Sequence, residues 1–330
     1  MKLSKDVESL LLDASKPCSF VPDEYDVGLA DIMVDWRTAK SADIGILGIP
    51  FDTAVSGRRG CRFGPESVRN ALVFSDVYEP GIDVDLSTGF SVADFGNVDV
   101  LYTEVLGTHE RVEKITTELF GLGLTPVIIG GDHSLAYPDI KGLMNNVDGK
   151  VGVINIDGHL DVRHSHHGEV SSGTPFRRLL EDTETPLDPA NFVEFGINTW
   201  LNSKYYRDYC RDMGIRVIPA REIHLGGILP AIEEALEIAS KGTDAIFLSF
   251  DIDAIDLAHI PGTNAPNAGG LSSFQALEAV WRMGQHPKCR GMDIVEIAPS
   301  LDAANVSSIM GAALIMQFMG ATRRRLEHAA

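Results

Sequence analysis

Five ionisable side chains crowd two short stretches of this chain. Asp157, His159 and Asp161 follow an apolar run at 151–156, and Asp251 and Asp253 follow another at 245–250. In extended chain, side chains two apart point the same way. On that reading Asp157, His159 and Asp161 share one face, and Asp251 and Asp253 share another. A buried carboxylate without a partner is costly, so buried charges pair or coordinate a metal. The pattern is a harness for two divalent cations at one site. His133 closes the turn Gly130-Gly131-Asp132-His133, and Glu296 ends a further apolar run. Oxygen-rich sites with one or two imidazoles suit manganese, whereas zinc takes fewer and softer ligands. Two ions bridged by carboxylates lower the pKa of a water between them and set it for attack.

The elements that must carry these residues alternate along the chain. Apolar runs predict strands over 43–50, 90–94, 126–130, 151–157, 192–196, 216–219, 245–251 and 291–297. Helical periodicity predicts helices over 66–74, 103–120, 135–144, 176–181, 204–213, 229–239, 273–283 and 306–319. Such alternation implies an α/β fold, a parallel sheet covered by helices on both faces. Ligands on such sheets bind beyond the carboxyl ends of the strands. His133, Asp157, Asp251 and Glu296 all fall there.

With 330 residues, 44% of them hydrophobic, the chain can bury a large core. No linker or low-complexity stretch divides it, so one domain over 1–330 is expected. A formal charge of −19 argues against a nucleic-acid partner. No run approaches the ~18 apolar residues of a membrane span. Scattered Cys18, Cys61, Cys210 and Cys289, without a CxxC pair, suggest reduced thiols. The first residues lack a signal peptide's apolar core, so a soluble cytoplasmic protein is expected.

Gly-Gly-Asp-His-Ser at 130–134, Asp-x-His-x-Asp at 157–161 and Ser-Phe-Asp-x-Asp-x-x-Asp at 249–256 stand in an order that resembles the ureohydrolases, the family of arginase, agmatinase and formimidoylglutamase. The resemblance covers about residues 40–320 and leaves 1–39 as an N-terminal extension. It implies a three-layer α/β/α fold, a pair of Mn2+ ions (Ni2+ as the alternative), and hydrolysis at an amidino or formimino carbon. It also implies a homo-oligomer, a trimer or hexamer. Carried over by position, His133, Asp157, Asp161 and Asp251 hold one ion. Asp157, His159, Asp251 and Asp253 hold the other, with Asp157 and Asp251 bridging. Asp161 and Glu296 carry catalysis, Glu296 by pairing with the substrate's cationic nitrogens. Asp132 is expected to hold the ligands in place from behind, and Asp256 to do the same or to shape its turn. Gly158 departs from the family's alanine between the first Asp and the His.

Ser172 stands where arginase-like and agmatinase-like members carry a His. That departure, and Asp161-Val162-Arg163, resemble formimidoylglutamases. Val55-Ser-Gly-Arg-Arg-Gly60 and Pro261-Gly-Thr263 look more like agmatinases. A dianionic substrate such as formimidoylglutamate needs cations near the mouth. Arg163, Arg177 and Arg178 are the candidates, with Ser172 as a further substrate contact. The alternative for Arg177 and Arg178 is a pair of exposed helix residues, and for His164, His166 and His167 a solvated rim loop. Two rival classes stand beside this reading: a single-zinc amide hydrolase related to the deacetylases, and a non-catalytic subunit of a ureohydrolase assembly. The presence of Asp161, Asp253 and His133 together argues for two ions.

Overall fold

The apolar runs become strands because β-branched and aromatic side chains pack on both faces of a buried sheet. In the computed structural model, which describes residues 25–164, 170–198 and 200–329, the strands are β1 (Met33–Asp35), β2 (Ile44–Gly48), β3 (Tyr78–Glu79), β4 (Val84–Asp85), β5 (Val92–Asn97), β6 (Thr125–Ile129), β7 (Val151–Ile156), β8 (Phe192–Ile197), β9 (Arg216–Pro219), β10 (Ala245–Asp251) and β11 (Cys289–Val295). Nine of them form one sheet in the order β1-β5-β2-β6-β11-β10-β7-β8-β9. Every pairing in it is parallel, and β3 and β4 form a separate antiparallel pair.

Alternate side chains of each strand enter different cores. Ile154 and Ile156 of β7 pack with Leu248 and Phe250 of β10 and the helices Ile228–Ser240, Ser273–Gly284 and Val306–Ala329. Val151 and Val153 pack on the other face with Phe247, Phe176 and the helix Ala136–Met144. Leu47, Ile49 and Ile128 join the helix Val105–Gly121 on that side. Full burial of a residue such as Phe247 contributes about 1.5–3 kcal/mol. This is a sheet covered by helices on both faces.

Element edges moved by a few residues. Met33–Asp35, placed outside the core by the sequence, pairs in register with Val92–Asp94. The last helix runs on to Ala329 rather than stopping at 319. Cys61, Cys210 and Cys289 are buried free thiols, and Cys18 lies outside the described residues. Among the described residues, no helix is long and apolar enough to cross a membrane.

What positions the site is the middle of the strand order. β6, β11, β10 and β7 are consecutive neighbours. Their carboxyl ends lead into His133, Glu296, Asp251 and Asp157.

Candidate metal centre

Alternation along an extended strand is not what gathers the ligands. β7 ends at Ile156, and Asp157 turns the chain by accepting the backbone N–H of His159 on Oδ1 at 2.6 Å. Asp161 sits in the left-handed region at φ 43°, a conformation open to Asp because its short polar side chain can bond locally. Asp251 is the last residue of β10 and accepts the N–H of Asp253 at 2.9 Å, which starts a 3-10 turn over Ile252–Ala254. Tight turns, not the period of two, bring the residues together.

The turn before His133 has its own steric cause. A Cβ on Gly131 would lie 1.7 Å from the carbonyl oxygen of Phe51, so only glycine fits. Asp132 accepts the N–H groups of Ala54 at 2.9 Å and Ser134 at 3.1 Å. His133 donates its backbone N–H to Glu296 Oε1 at 2.9 Å, and Glu296 donates its own to Gly131 O at 2.8 Å. Glu296 holds φ 63° although it is not glycine. Two reciprocal bonds keep it there.

The side chains converge as two pockets. His133 Nδ1 lies 3.2 Å from Asp157 Oδ2, 3.0 Å from Asp161 Oδ2 and 3.3 Å from Asp251 Oδ2. His159 Nδ1 lies 3.1 Å from Asp253 Oδ2 and 3.5 Å from Asp157 Oδ1. Asp157 thus turns one oxygen to each imidazole. The sets His133–Asp157–Asp161 and Asp157–His159–Asp253 each bring three donor atoms within 4.8 Å of one another. His133 Nδ1 is buried and has no hydrogen-bond partner among the described residues.

The charges explain what the pockets want. Burial pushes the Asp251 carboxyl well above the usual carboxylate range, and the Asp253 and Asp157 charges push it further. Burial raises Asp253 to about 6 against the pull of His159. It raises Glu296 as well, with Asp251 and Asp132 adding to it. Burial works against a charged His159, yet Asp253 and Asp157 outweigh it and hold its imidazolium up to about 12. Four aspartates and a glutamate around two imidazoles form a strongly negative cup. Oxygen and imidazole donors in this arrangement fit hard to borderline dications.

Residues the sequence did not single out hold the cup from behind. His133 Nε2 meets Ser249 Oγ at 3.0 Å, and Ser249 donates to Asp293 Oδ1 at 2.9 Å. With Nε2 as the donor, Nδ1 keeps its lone pair facing the carboxylates. Asn155 Nδ2 donates to Glu194 Oε2 at 2.8 Å and to Asp157 Oδ2 at 3.3 Å. His109 Nε2 meets Ser134 Oγ at 3.0 Å, and Arg178 donates to its Nδ1 at 3.0 Å. Burial, then the Arg178 charge, lowers the His109 pKa to about 3. Polar residues inside apolar runs were the available signal for Asn155 and Glu194.

A cavity of about 700 Å³ opens over the cup. His159, Asp161, Asp251, Asp253 and Glu296 form its floor. Arg163, His164, Ser172 and Tyr206 stand on its wall. The Arg163 guanidinium lies over the Tyr206 ring at 5.3 Å and donates to Leu201 O at 3.1 Å. Ser172 Oγ accepts the N–H of Ser56 at 3.0 Å and so ties two wall loops together.

Two expected placements change. Arg177 is not a wall residue. Its guanidinium pairs with Glu181 one helical turn on, at 2.6 Å, and stacks over Tyr209 at 3.9 Å. It approaches the site only through His164, whose Nε2 is 3.2 Å from Arg177 Nη2. Asp256 accepts the N–H groups of Ala258 and Gly269, at 2.9 and 2.6 Å, and braces that loop instead of a ligand side chain. Arg178, a third candidate cation, is spent on His109 and the Tyr137 ring. His166 and His167 lie outside the described residues.

Sheet, cup and cavity together define an α/β protein with a buried site of oxygen and imidazole donors beyond the strand ends. The chain belongs to the arginase family, which its residues 42–320 match. It is 31% identical over 299 residues to the formimidoylglutamase of Halalkalibacterium halodurans, covering 90% of this chain and 92% of the relative. The crystal structure of formimidoylglutamase from Bacillus subtilis superposes with a TM-score of 0.88 at 28% identity, over 96% of this chain and 97% of that one. Trypanosoma cruzi formiminoglutamase, solved with a pair of Mn2+ ions, gives 0.82 at 29% identity, over 90% of this chain and 98% of that one.

Proposed function

We propose that this chain hydrolyses N-formimidoyl-L-glutamate to L-glutamate and formamide, with two Mn2+ ions held in the cup. The observation that carries this is the cavity itself, with a negative floor built for cations and a cationic wall residue, Arg163, facing the same space. His133, Asp157, Asp161 and Asp251 would hold one ion, and Asp157, His159, Asp251 and Asp253 the other. The ion pair, when bound, supplies an activated water and polarises the substrate.

The chain's own residues supply orientation and proton movement. Glu296 presents a buried carboxylate, with Oε2 free of partners among the described residues, to the cationic formimino nitrogens. Water adds to the formimino carbon, the bond from that carbon to the glutamate nitrogen breaks, and the carbon leaves as formamide. The departing nitrogen must gain a proton. Asp161, on the cavity floor, is placed to take one from the attacking water and pass it on.

Arg163 matches a substrate carboxylate. Agmatine, with a second cation in that place, would meet a like charge. The test is an assay of manganese-loaded protein against formimidoylglutamate, agmatine and guanidinobutyrate, following both formamide and urea. Formamide from the first substrate is expected. Urea from agmatine at a higher kcat/KM overturns the assignment. Arg163→Ala should raise KM for formimidoylglutamate about tenfold, the scale of one charge-assisted hydrogen bond, with the bound metal unchanged.

A further inference from the structure

The backbone that carries His159 and Asp253 is wrapped by three asparagines from two loops, Asn198 and Asn202 before the helix Lys204–Met213 and Asn267 after β10. Gly158 O accepts the backbone N–H of Asn198 at 3.0 Å and the side-chain Nδ2 of Asn202 at 2.9 Å. Leu160 donates its N–H to Asn202 Oδ1 at 3.0 Å. His159, between them, is thereby fixed on both sides. Asn267 closes the collar. Its Nδ2 donates to the carbonyl of Asp253 at 3.0 Å, and its Oδ1 accepts Asn198 Nδ2 at 2.6 Å. The Gly158 N–H reaches Asp253 Oδ1 at 3.2 Å, so the two ligand turns touch inside the collar.

Gly158 and Asn267 occupy one space. A Cβ on Gly158 would lie 2.7 Å from Asn267 Nδ2, against 3.0 Å from Asp253 Oδ1 and 3.1 Å from Asp253 O. The amide is the nearest obstacle. It is 6% exposed, and hydrogen bonds at both ends keep it from swinging away. The absence of a side chain at 158 is what admits it.

We infer that Asn267 is a positioning residue for the His159–Asp253 pocket, acting through the Asp253 backbone, and that Gly158 is its steric counterpart. The inference rests on the reading above that this cup holds a pair of ions. Among the described residues no asparagine braces the His133 backbone in this way, and its ring is held by Ser249. Loss of Asn267 should therefore weaken one ion and spare the other.

The experiment is Mn2+ binding to the full chain by calorimetry, with electron paramagnetic resonance to detect a close, exchange-coupled pair of ions. It compares wild type, Asn267→Ala, Gly158→Ala and the double variant. Asn267→Ala should keep one ion at wild-type affinity and weaken the second about 10- to 100-fold, the range for residues that orient metal ligands. The coupled signal should fade, and kcat should fall more than KM rises. Gly158→Ala should show the same loss. The double variant should lose no more than Asn267→Ala alone, because the methyl then has room and the bond to Asp253 is already gone. Two ions bound by Asn267→Ala as tightly as by wild type overturn the inference, as does a Gly158→Ala effect of equal size with either residue at 267. If Asn267→Ala does not fold, Asn267→Ser in the same comparison decides it. A wild-type protein that binds no ion pair overturns the underlying reading instead.

Discussion

The two ligand pockets share Asp157 and Asp251 and little else. The His133 pocket is shut off from solvent, and its imidazole is held by side chains: Ser249, then Asp293. The His159 pocket opens on the cavity, with its imidazole side chain 16% exposed, and it is held by backbone turns inside a ring of asparagines. A ligand fixed through strands of a nine-stranded sheet is rigid wherever the sheet is. A ligand fixed through loops depends on those loops closing correctly. Rigid placement at one pocket and loop-dependent placement at the other should separate under mutation.

The largest expected effect comes from the residue that breaks the distinction. Asp157→Ala removes an oxygen from each pocket, so both ions should be lost and turnover should fall to background; metal analysis after dialysis and a rate assay check this. Ser249→Ala sharpens the distinction. It unties His133 alone, so one ion should weaken about 10- to 100-fold while the other holds. Titration calorimetry reads both steps.

A smaller effect belongs to the cup as a whole. Burial raises Asp132 and Asp253 to about 6 in the metal-free protein. For acids raised in this way, the folded state holds the extra proton. Their stabilising contribution is full below the unfolded pKa near 4 and is lost as pH rises through about 6, at up to ~1.4 kcal/mol per group per pH unit. A bound cation would replace the proton at Asp253. The gap in Tm between metal-loaded and chelated protein should therefore widen from pH 5 to pH 8. A constant gap would show that the carboxyls do not repel one another in the folded state.

Much of this was open to reading before any coordinates. Buried parallel strands appear as largely apolar runs, and all four strands that carry the site do so. β1 does not, because three residues on a half-exposed edge have no period to detect. The ligands were legible because acids and histidines at strand ends need a reason. Their supports were not. Asn198 and Asn202 lie in one loop and Asn267 in another, and only the folded chain brings them to one turn. Ser249 and Asp293 lay inside recognised motifs without a visible task, since their work is done across neighbouring strands. Arg177 misled for a local reason. A glutamate four residues on, which any helix brings alongside, claims its charge.

The backbone of Glu296 carries a consequence of another kind. A left-handed glutamate costs roughly 1–2 kcal/mol that glycine would not. Selection for folding alone would drift this position toward glycine or asparagine. A glutamate there carries strain that folding alone does not call for, so Glu296→Gly should raise Tm even as it removes the carboxylate from the cavity floor.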